Sequence, residues 1–571
     1  MPEVSGGELL VRCLLEERVK YVFGVPGAQW LPFLDALKVY GEPRGLKFVL
    51  ARHEQAAGHM ADAWARATGE PGVCLGTVGP GAVDLVPGVY PAWADGIPVV
   101  VLTAQNQSWR IYPDHGSTQG CDQLGVFRGV VKWSAVVSHW SRIPELVQRA
   151  FRAATSGRPG PVHLDFPVDV LFERRDLSEV RVVPRERYRA TRGPAGDPEL
   201  VKAAARLLAE AERPLIHAGM GVLASGAWSE LAELAEFLKA PVTTTLGARG
   251  AIPEDHPLCL LPASYGALAA QAMADVVLAI GTRFGDLDFW GKPPAWGEPE
   301  AQKLIQVDID PENIALNREV DLPIVGDAKT VLRQLIHELR QLTREREENP
   351  YLEEYKAAER EWLSRVEELA SSSSKPIHPL RLMKEAREFF PRGSITCVDG
   401  GNTAVWAYYV NRVYEPRSFL WAADSGHLGT GLPYAIAAKL AHPERQVYLI
   451  TGDGALMFNI QELETARRLN LPITVVVAND RAYGMIKGGQ KAYFSERYIG
   501  VDFYDTRYDK VAEAMGCYGE RVEEPEEIKP ALGRALESKL PALLDVVVDR
   551  EANLTPPDLE AIVSIWLEGC I

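Results

Sequence analysis

The apolar run Gln446-Val447-Tyr448-Leu449-Ile450 leads into Gly452-Asp453-Gly454, and a second run, Pro472-Ile473-Thr474-Val475-Val476-Val477-Ala478, leads into Asn479-Asp480. Short β-branched and aromatic runs bounded in this way predict buried strands. Asn459 to Leu469 between them predicts a crossover helix, which makes the two strands parallel. That unit constrains the chain to an α/β fold, with helices covering both faces of a parallel sheet. Both acids then fall at carboxyl ends of strands, the edge where open α/β sheets bind ligands. There Asp453 and Asp480 can converge on one divalent cation carrying a diphosphate, and their hard oxygens make Mg2+ the expected ion. A lone Gly-Asp-Gly is usually only a turn; the strands and helix around it give it weight.

At 571 residues the chain has room for roughly two to four domains, and composition separates three α/β blocks. The first has apolar strands at Phe48-Val49-Leu50, Val73-Leu75, Val99-Leu102 and Val162-Asp165, and closes near residue 180. A basic, strand-poor stretch from Arg181 to Asp197 predicts a linker. The second block, 193–345, carries Pro214-Leu215-Ile216, Val276-Ile280 and Leu304-Asp308. The charged segment Glu345 to Ala370, ended by Ser371 to Ser374, predicts a solvated helical connector. The third block, 376–550, holds the opening motif with further strands at Ile395-Val398 and Leu543-Val548. In the tail, 551–571, Pro556 to Glu568 predicts an amphipathic helix, a candidate lid.

A net charge of -16 argues against a nucleic-acid or anionic-membrane surface. Seven scattered cysteines without a Cys-x-x-Cys pair favour reduced thiols over disulfides or zinc. The opening Met1-Pro2-Glu3-Val4-Ser5 has no signal-peptide pattern, and no apolar run approaches a membrane span. A cytoplasmic protein with no nucleic-acid or membrane partner is expected.

Together with Gly484-Met485-Ile486, the opening motif resembles the thiamine diphosphate fold of the superfamily of acetolactate synthase, 2-hydroxyacyl-CoA lyase, oxalyl-CoA decarboxylase and the 2-oxoacid decarboxylases. The resemblance extends over almost the whole chain. It implies three doubly wound parallel-sheet domains: pyrimidine-binding (1–180), central and nucleotide-binding-like (193–345), and diphosphate-binding (376–550). It also implies that Glu54, in Arg52-His53-Glu54-Gln55 at the start of a helix, is the activating glutamate. That residue hydrogen-bonds pyrimidine N1′, so that the cofactor's own imino nitrogen removes the thiazolium C2 proton. The cofactor would supply the nucleophile and electron sink, the protein orientation and electrostatics.

The same resemblance assigns the rest of the cofactor site. Gly426, in Asp424 to Pro433, presents a backbone carbonyl to the 4′-amino group, and Leu428 is the apolar wedge beneath the bent cofactor. Asn402 and Thr403 form the diphosphate turn. Pro26, Gly27, Gly452, Gly454, Ala455, Gly484, Met485 and Ile486 are further cofactor contacts. Asp453, Asp480 and the backbone carbonyl of Ala482 are the metal ligands, with aspartate at 480 where many relatives have asparagine. Gln119 lines the substrate side, and His427 is preferred over His53 and His115 as a proton shuttle.

In the second block Gly219-Met220-Gly221 fits a dinucleotide fingerprint, but the acidic residue expected after Pro241-Thr245 is missing, which argues against NAD. The resemblance implies FAD, ADP, the nucleotide of coenzyme A, or nothing there, with Arg158, Gly219, Gly221, Arg283, Asp308 and Asp327 as candidate contacts. It weakens on the substrate side. The family's phenylalanine and glutamate flanking Gln119 are Thr118 and Gly120 here. The second arginine of the Gly-x-Arg-Phe loop is Leu287, the tryptophan after Met485 is Gly489, and the block Phe289 to Gly297 is foreign to the pattern. Losing a planar carboxylate binder is not conservative.

The expected protein is a carbon–carbon lyase or ligase acting on a 2-oxoacid or a 2-hydroxyacyl-CoA, not a housekeeping acetolactate synthase. Glu54 and the metal clamp lie in different blocks, and in the superfamily such sites meet across subunits, which implies a homodimer or homotetramer. Two alternatives stay open: a flavin-dependent oxidase of the pyruvate oxidase kind, and a non-catalytic regulatory homologue.

Overall fold

The structure is a computed structural model that describes residues 3–111, 113–262 and 264–556. The tail helix expected over 556–568 lies, beyond its first residue, outside the described residues.

Three parallel sheets carry the chain. The N-terminal sheet places its six strands in the spatial order Lys47–Leu50, Tyr21–Gly24, Gly72–Gly76, Val99–Gln105, Val162–Pro167, Trp133–Val136. The central sheet runs Val242–Thr244, Pro214–Ala218, Val276–Ile280, Lys303–Asp308, Leu322–Val325. The C-terminal sheet runs Phe419–Leu420, Ile395–Asp399, Val447–Gly452, Thr474–Asn479, Ala542–Val547, Tyr518–Val522. A short antiparallel pair, Glu3–Ser5 with Arg174–Asp176, ties the start of the first domain to its end. The three-domain doubly wound architecture expected from the sequence is confirmed. The paired register Tyr448↔Thr474 through Gly452↔Ala478 makes the two motif strands adjacent and parallel.

Numbered by chain order, the strands of the first and third sheets follow the same sequence, 2-1-3-4-6-5, and those of the central sheet follow 2-1-3-4-5. Each order reverses between its first and third strands, and that switch point is where doubly wound sheets open a ligand crevice. Equivalent helices of the two outer domains, Glu54–Thr68 and Gly431–Ala441, pack against each other within the chain. One continuous apolar cluster spans that contact, with Ala57, Met60 and Ala61 on one side and Tyr434, Ala435 and Ala438 on the other. Small residues let the two helix backbones approach closely.

Two connectors differ from expectation. The charged helix begins at Leu352 rather than Glu345 and is not a solvated strut, because Tyr355, Trp362, Val366 and Ala370 form a buried stripe. It packs on the helices Tyr265–Met273 and Pro379–Phe389. Spaced seven, four and four residues apart, the stripe residues keep the helical period, concealed in the sequence by the charges between them. The basic stretch 181–197 is likewise docked: Arg189 pairs with buried Glu17 at 2.7 Å and Arg185 with Glu70 at 2.8 Å. The crossover helix spans Glu462–Arg468, preceded by a separate turn at Asp453–Leu456. The six described cysteines are free. Among the described residues no helix is long and apolar enough to cross a membrane.

Candidate active site

The switch point of the C-terminal sheet gathers one set of candidates. Asn402 and Thr403 open the helix after the first strand, Asp453 follows the third, and Asp480 follows the fourth. All four are buried. The Gly454 and Arg481 N–H groups donate to the two oxygens of Asp453, each at 2.9 Å. The Ala482 N–H donates to Asp480 Oδ1 at 3.1 Å, and Asn553 Nδ2 donates to Asp480 Oδ2 at 2.7 Å. Burial, then the charge of Asp480, holds Asp453 well above the usual carboxylate range, and burial raises Asp480 as well. Two acids forced together in a dry pocket cannot both ionise cheaply unless a cation sits between them.

Gly484 shows how closely this site is drawn. A Cβ there would lie 2.9 Å from Asp480 Oδ2 and 3.2 Å from Asn553 Nδ2. Met485 lies against Gly401. Ala455 sits in the Asp453–Leu456 turn, and Ile486 is 58% exposed. The loop bearing Gly426, His427 and Leu428 joins the same floor through a residue the sequence reading passed over. Asp399, the last residue of the first strand, accepts hydrogen bonds from Gly429 N–H at 3.0 Å and Gly431 N–H at 2.9 Å. Its signal was present: an acid ending an apolar strand before two glycines. Burial pushes its carboxyl up to about 7.

A raised folded-state value means that Asp399 contributes stability fully present below its unfolded pKa and lost as pH rises through about 7. Asp399→Asn is therefore expected to remove on the order of 1 kcal/mol from the loss of unfolding free energy between pH 6 and 8. Urea denaturation at the two pH values checks this, and an unchanged slope contradicts it.

The N-terminal sheet gathers the second set at its own switch point. Glu54 begins the helix Glu54–Thr68, whose N-cap His53 accepts a hydrogen bond from Gln55 N–H at 3.1 Å. His53 is thus a helix cap. Pro26-Gly27 follows the strand Tyr21–Gly24, with Gly27 against Thr77. A Cβ on Gly81 would approach Glu54 Oε1 to 2.8 Å. Burial, followed by the charge of Asp84, raises the Glu54 carboxyl, against the opposing effects of its backbone hydrogen bond and His53. Gln119 takes a left-handed φ of 63°, with its carbonyl oxygen against Gly79.

Within the chain the two sets answer to different neighbours. The charges acting on Glu54 are Asp84 and His53, whereas Asp453 feels Asp480. What joins the domains lies beside them: Arg52 N–H donates to Glu462 at 2.8 Å, and burial pushes Glu462 up to about 7. His427 stands edge-on to buried His59 with centroids 5.0 Å apart, and burial lowers its pKa. The buried Asp62, Arg66 and Asp95 cluster, with Tyr434 across the interface, was likewise not anticipated. Asp62 and Arg66 are neighbours on one helix turn, but the partners from Asp95, Tyr434, Glu462 and His427 lie far off in sequence and leave no local pattern.

The central sheet's switch point opens on a cavity of about 930 Å³ lined by Arg158, Gly221, Arg283, Asp308 and Asp327. Gly219 packs behind it, where a Cβ would meet the Gly281 carbonyl oxygen at 2.2 Å. Arg283 pairs with Asp424 of the C-terminal domain at 3.2 Å. Asp327 also caps the helix Ala328–Leu342 by accepting from Thr330 N–H at 3.0 Å. Leu287 lines this cavity, whereas Gly489 faces open space. Lys487 is buried and donates to Asp502 at 2.5 Å beneath the Tyr498 ring.

The donor set fits a magnesium diphosphate. Buried Asn402 Oδ1, Asn479 Oδ1 and Asn553 Oδ1 have no partner, and the two carboxylates supply hard oxygens. Among the described residues no three His, Cys, Asp or Glu side chains gather as a metal site. A cation here would need backbone and phosphate oxygens to complete its shell, the arrangement that magnesium favours.

Three parallel domains, each with its ligand edge at a switch point and one bearing a carboxylate pair suited to a metal diphosphate, define a class of cofactor-dependent α/β enzyme. The family descriptions agree. Residues 4–126 match the N-terminal TPP binding domain of thiamine pyrophosphate enzymes, 201–335 the central domain, and 399–546 the C-terminal TPP binding domain. The chain belongs to the thiamine pyrophosphate enzyme family and is a carboligase- or lyase-type enzyme of it.

It is similar to the "Probable acetolactate synthase large subunit" of Methanocaldococcus jannaschii, with 40% identity covering 96% of this chain and 92% of the relative. It is 35% identical to the "Acetolactate synthase isozyme 3 large subunit" of Escherichia coli, over 99% of both chains. It is 34% identical to the "Acetolactate synthase" of Mycobacterium bovis, over 97% of this chain and 90% of the relative.

Proposed function

We propose that the protein uses Mg2+ and thiamine diphosphate to break and form the carbon–carbon bond beside the carbonyl of a 2-oxoacid, with an acceptor pocket unlike that of housekeeping acetolactate synthesis. The observation that carries the proposal is the Asp453 and Asp480 clamp beside Asn402 and Thr403 at one switch point. The bound cofactor supplies a nucleophilic carbon and an electron sink.

The chain's own residues do the rest. Asp453, Asp480 and the Ala482 carbonyl hold the metal, and Asn402 and Thr403 bind the diphosphate. Gly426 orients the aminopyrimidine, while Leu428 props the bent cofactor with Pro26, Gly27, Gly452, Gly454, Ala455, Gly484, Met485 and Ile486 around it. Glu54 shares a proton with N1′, for which a carboxyl of raised pKa is suited. Gln119 and His427 face the substrate, with His427 kept neutral by burial so that it can accept a proton. Domain limits at 180, 193–345 and 376–550 belong to this reading, as does a homodimer or homotetramer in which a second copy joins Glu54 to the clamp.

The central cavity supports a nucleotide there, FAD or ADP, held by Arg158 and Arg283 through their forked donors. Leu287 in its wall offers no charge to a second carboxylate. Mass spectrometry of small molecules released on denaturation tests the nucleotide: FAD or ADP in stoichiometric amount is expected, and neither would refute it. Product analysis with pyruvate, alone and with other acceptors, tests the reaction. Cofactor-dependent consumption of the 2-oxoacid is expected, with a product other than acetolactate favoured; acetolactate as sole product overturns the acceptor assignment but not the cofactor chemistry. Anaerobic bleaching of a bound flavin by the 2-oxoacid would instead select the oxidase reading.

A further inference from the structure

The metal clamp is held from behind by a short segment that follows the last strand of the C-terminal sheet. Asp549 caps the turn Arg550–Asn553, and Leu554 anchors it in the core with no exposure. Arg550 Nε donates to the Asp480 carbonyl at 2.7 Å and Nη2 to the Arg481 carbonyl at 2.7 Å. Its Nη1 reaches Asp502 at 3.1 Å, the same carboxylate that pairs with buried Lys487. Three residues further on, Asn553 Nδ2 donates to Asp480 Oδ2, and the Asn553 carbonyl accepts from Asn402 Nδ2 at 2.7 Å.

The segment therefore touches both halves of the proposed site: the carboxylate that would bind the cation and the asparagine that would bind the diphosphate. The turn it grips is strained. Arg481 has a φ of 58°, a conformation that persists in a non-glycine residue only when its surroundings over-determine it. Here the Arg481 N–H donates to Asp453 Oδ2, while its carbonyl accepts from both Arg550 and Phe503 N–H. Arg550 spans two successive carbonyls with adjacent nitrogens of one plane, which a lysine cannot do. Asn553 is 3% exposed, and its Oδ1, like that of Asn402, is buried without a partner. Two orphaned amide oxygens beside a carboxylate pair are an unmet demand for a cation or for donors carried in with it.

We propose that Arg550 and Asn553 are positioning residues of the metal site, fixing the Asp480 to Ala482 turn and the Asp480 carboxylate in the geometry that accepts the magnesium diphosphate. The inference rests on the function proposed above. Arg550 sets the backbone of the turn, and Asn553 sets the rotamer of the ligand and links it to the diphosphate turn. Residues that orient metal ligands in this way typically change metal affinity by about 10- to 100-fold when replaced.

The test is the Mg2+ concentration required for half-maximal thiamine diphosphate binding to the full-length protein, measured by equilibrium dialysis. Asn553→Ala and Arg550→Lys are each expected to raise it about 10- to 100-fold, with cofactor stoichiometry restored at saturating Mg2+. Lys491→Ala, which breaks the exposed pair with Glu551 on the same segment, is expected to leave it unchanged. An unchanged Mg2+ requirement in both soluble variants overturns the proposal. So does a loss of cofactor binding that excess Mg2+ does not restore, since that marks a general support of the fold. If Arg550→Lys does not fold, Asn553→Ala decides alone. If the wild-type protein binds thiamine diphosphate without any need for Mg2+, the function proposed above fails first.

Discussion

Glu54→Gln is expected to leave the protein folded and able to bind its cofactor, while turnover falls about 10²- to 10⁴-fold, the usual contribution of a positioned proton-transfer group. Glutamine preserves the shape against Gly81 and the helix start, but it cannot share a proton with the pyrimidine nitrogen. The direct readout is exchange of the thiazolium C2 proton into deuterated water, quenched with acid and followed by NMR, which should slow in parallel. Unchanged exchange removes the assignment.

The same variant reports on assembly. If Glu54 acts on the clamp of a second copy, Glu54→Gln mixed with Asp453→Ala should recover activity that neither shows alone. Each mixed dimer then holds one intact and one doubly defective site. Random exchange makes about half of the dimers mixed, so about a quarter of wild-type activity is expected. No recovery after verified subunit exchange would place both residues of a site in one chain.

The placement of the proposed clamp's two carboxylates was legible because everything it needs is local. Two β-branched runs, a helix of the right length between them, and an acid at each carboxyl end dictate where Asp453 and Asp480 must stand. Glu54 needed the resemblance, since one acid in a first helical turn is as well explained by the helix dipole. The common strand order of the two outer sheets left no mark in the sequence, because topology is fixed by which apolar strands pair and not by residue identity. The charged helix 352–370 was misjudged as a strut because four buried side chains were outvoted by their neighbours. Arg550 and Asn553 escaped because their partners lie 70 and 73 residues away, and an arginine or asparagine after a strand has many commoner uses. Asp399 sits between the two cases: its position was readable, but the glycine amides it serves lie 30 and 32 residues on.

Removal of the metal should have the largest effect on cofactor retention. The Asp453 carboxyl is held well above its ordinary range by burial and by Asp480, so the empty clamp is at rest only when it carries a proton. Its contribution to stability is fully present below the unfolded carboxylate pKa and is lost as pH rises through the raised folded value. In the proposed reading Mg2+ would replace that proton at neutral pH. The EDTA-dialysed protein is therefore expected to lose thiamine diphosphate and to grow less stable with rising pH, whereas the Mg2+ and cofactor complex should show a flatter profile. At one hundred times the dissociation constant the ligands add about 2.7 kcal/mol to the folded state, a rise in melting temperature that scanning calorimetry resolves. Asp453→Ala abolishes this rise, because no hard oxygen remains at that corner. It should leave the apoprotein no less stable than wild type near pH 8, since it also relieves the crowding of two acids. Asp480→Asn keeps an oxygen and sheds a charge, so it should retain most of the rise. Retention of cofactor after exhaustive EDTA dialysis, or an undiminished ligand-induced shift in Asp453→Ala, would show that the diphosphate is held without the clamp.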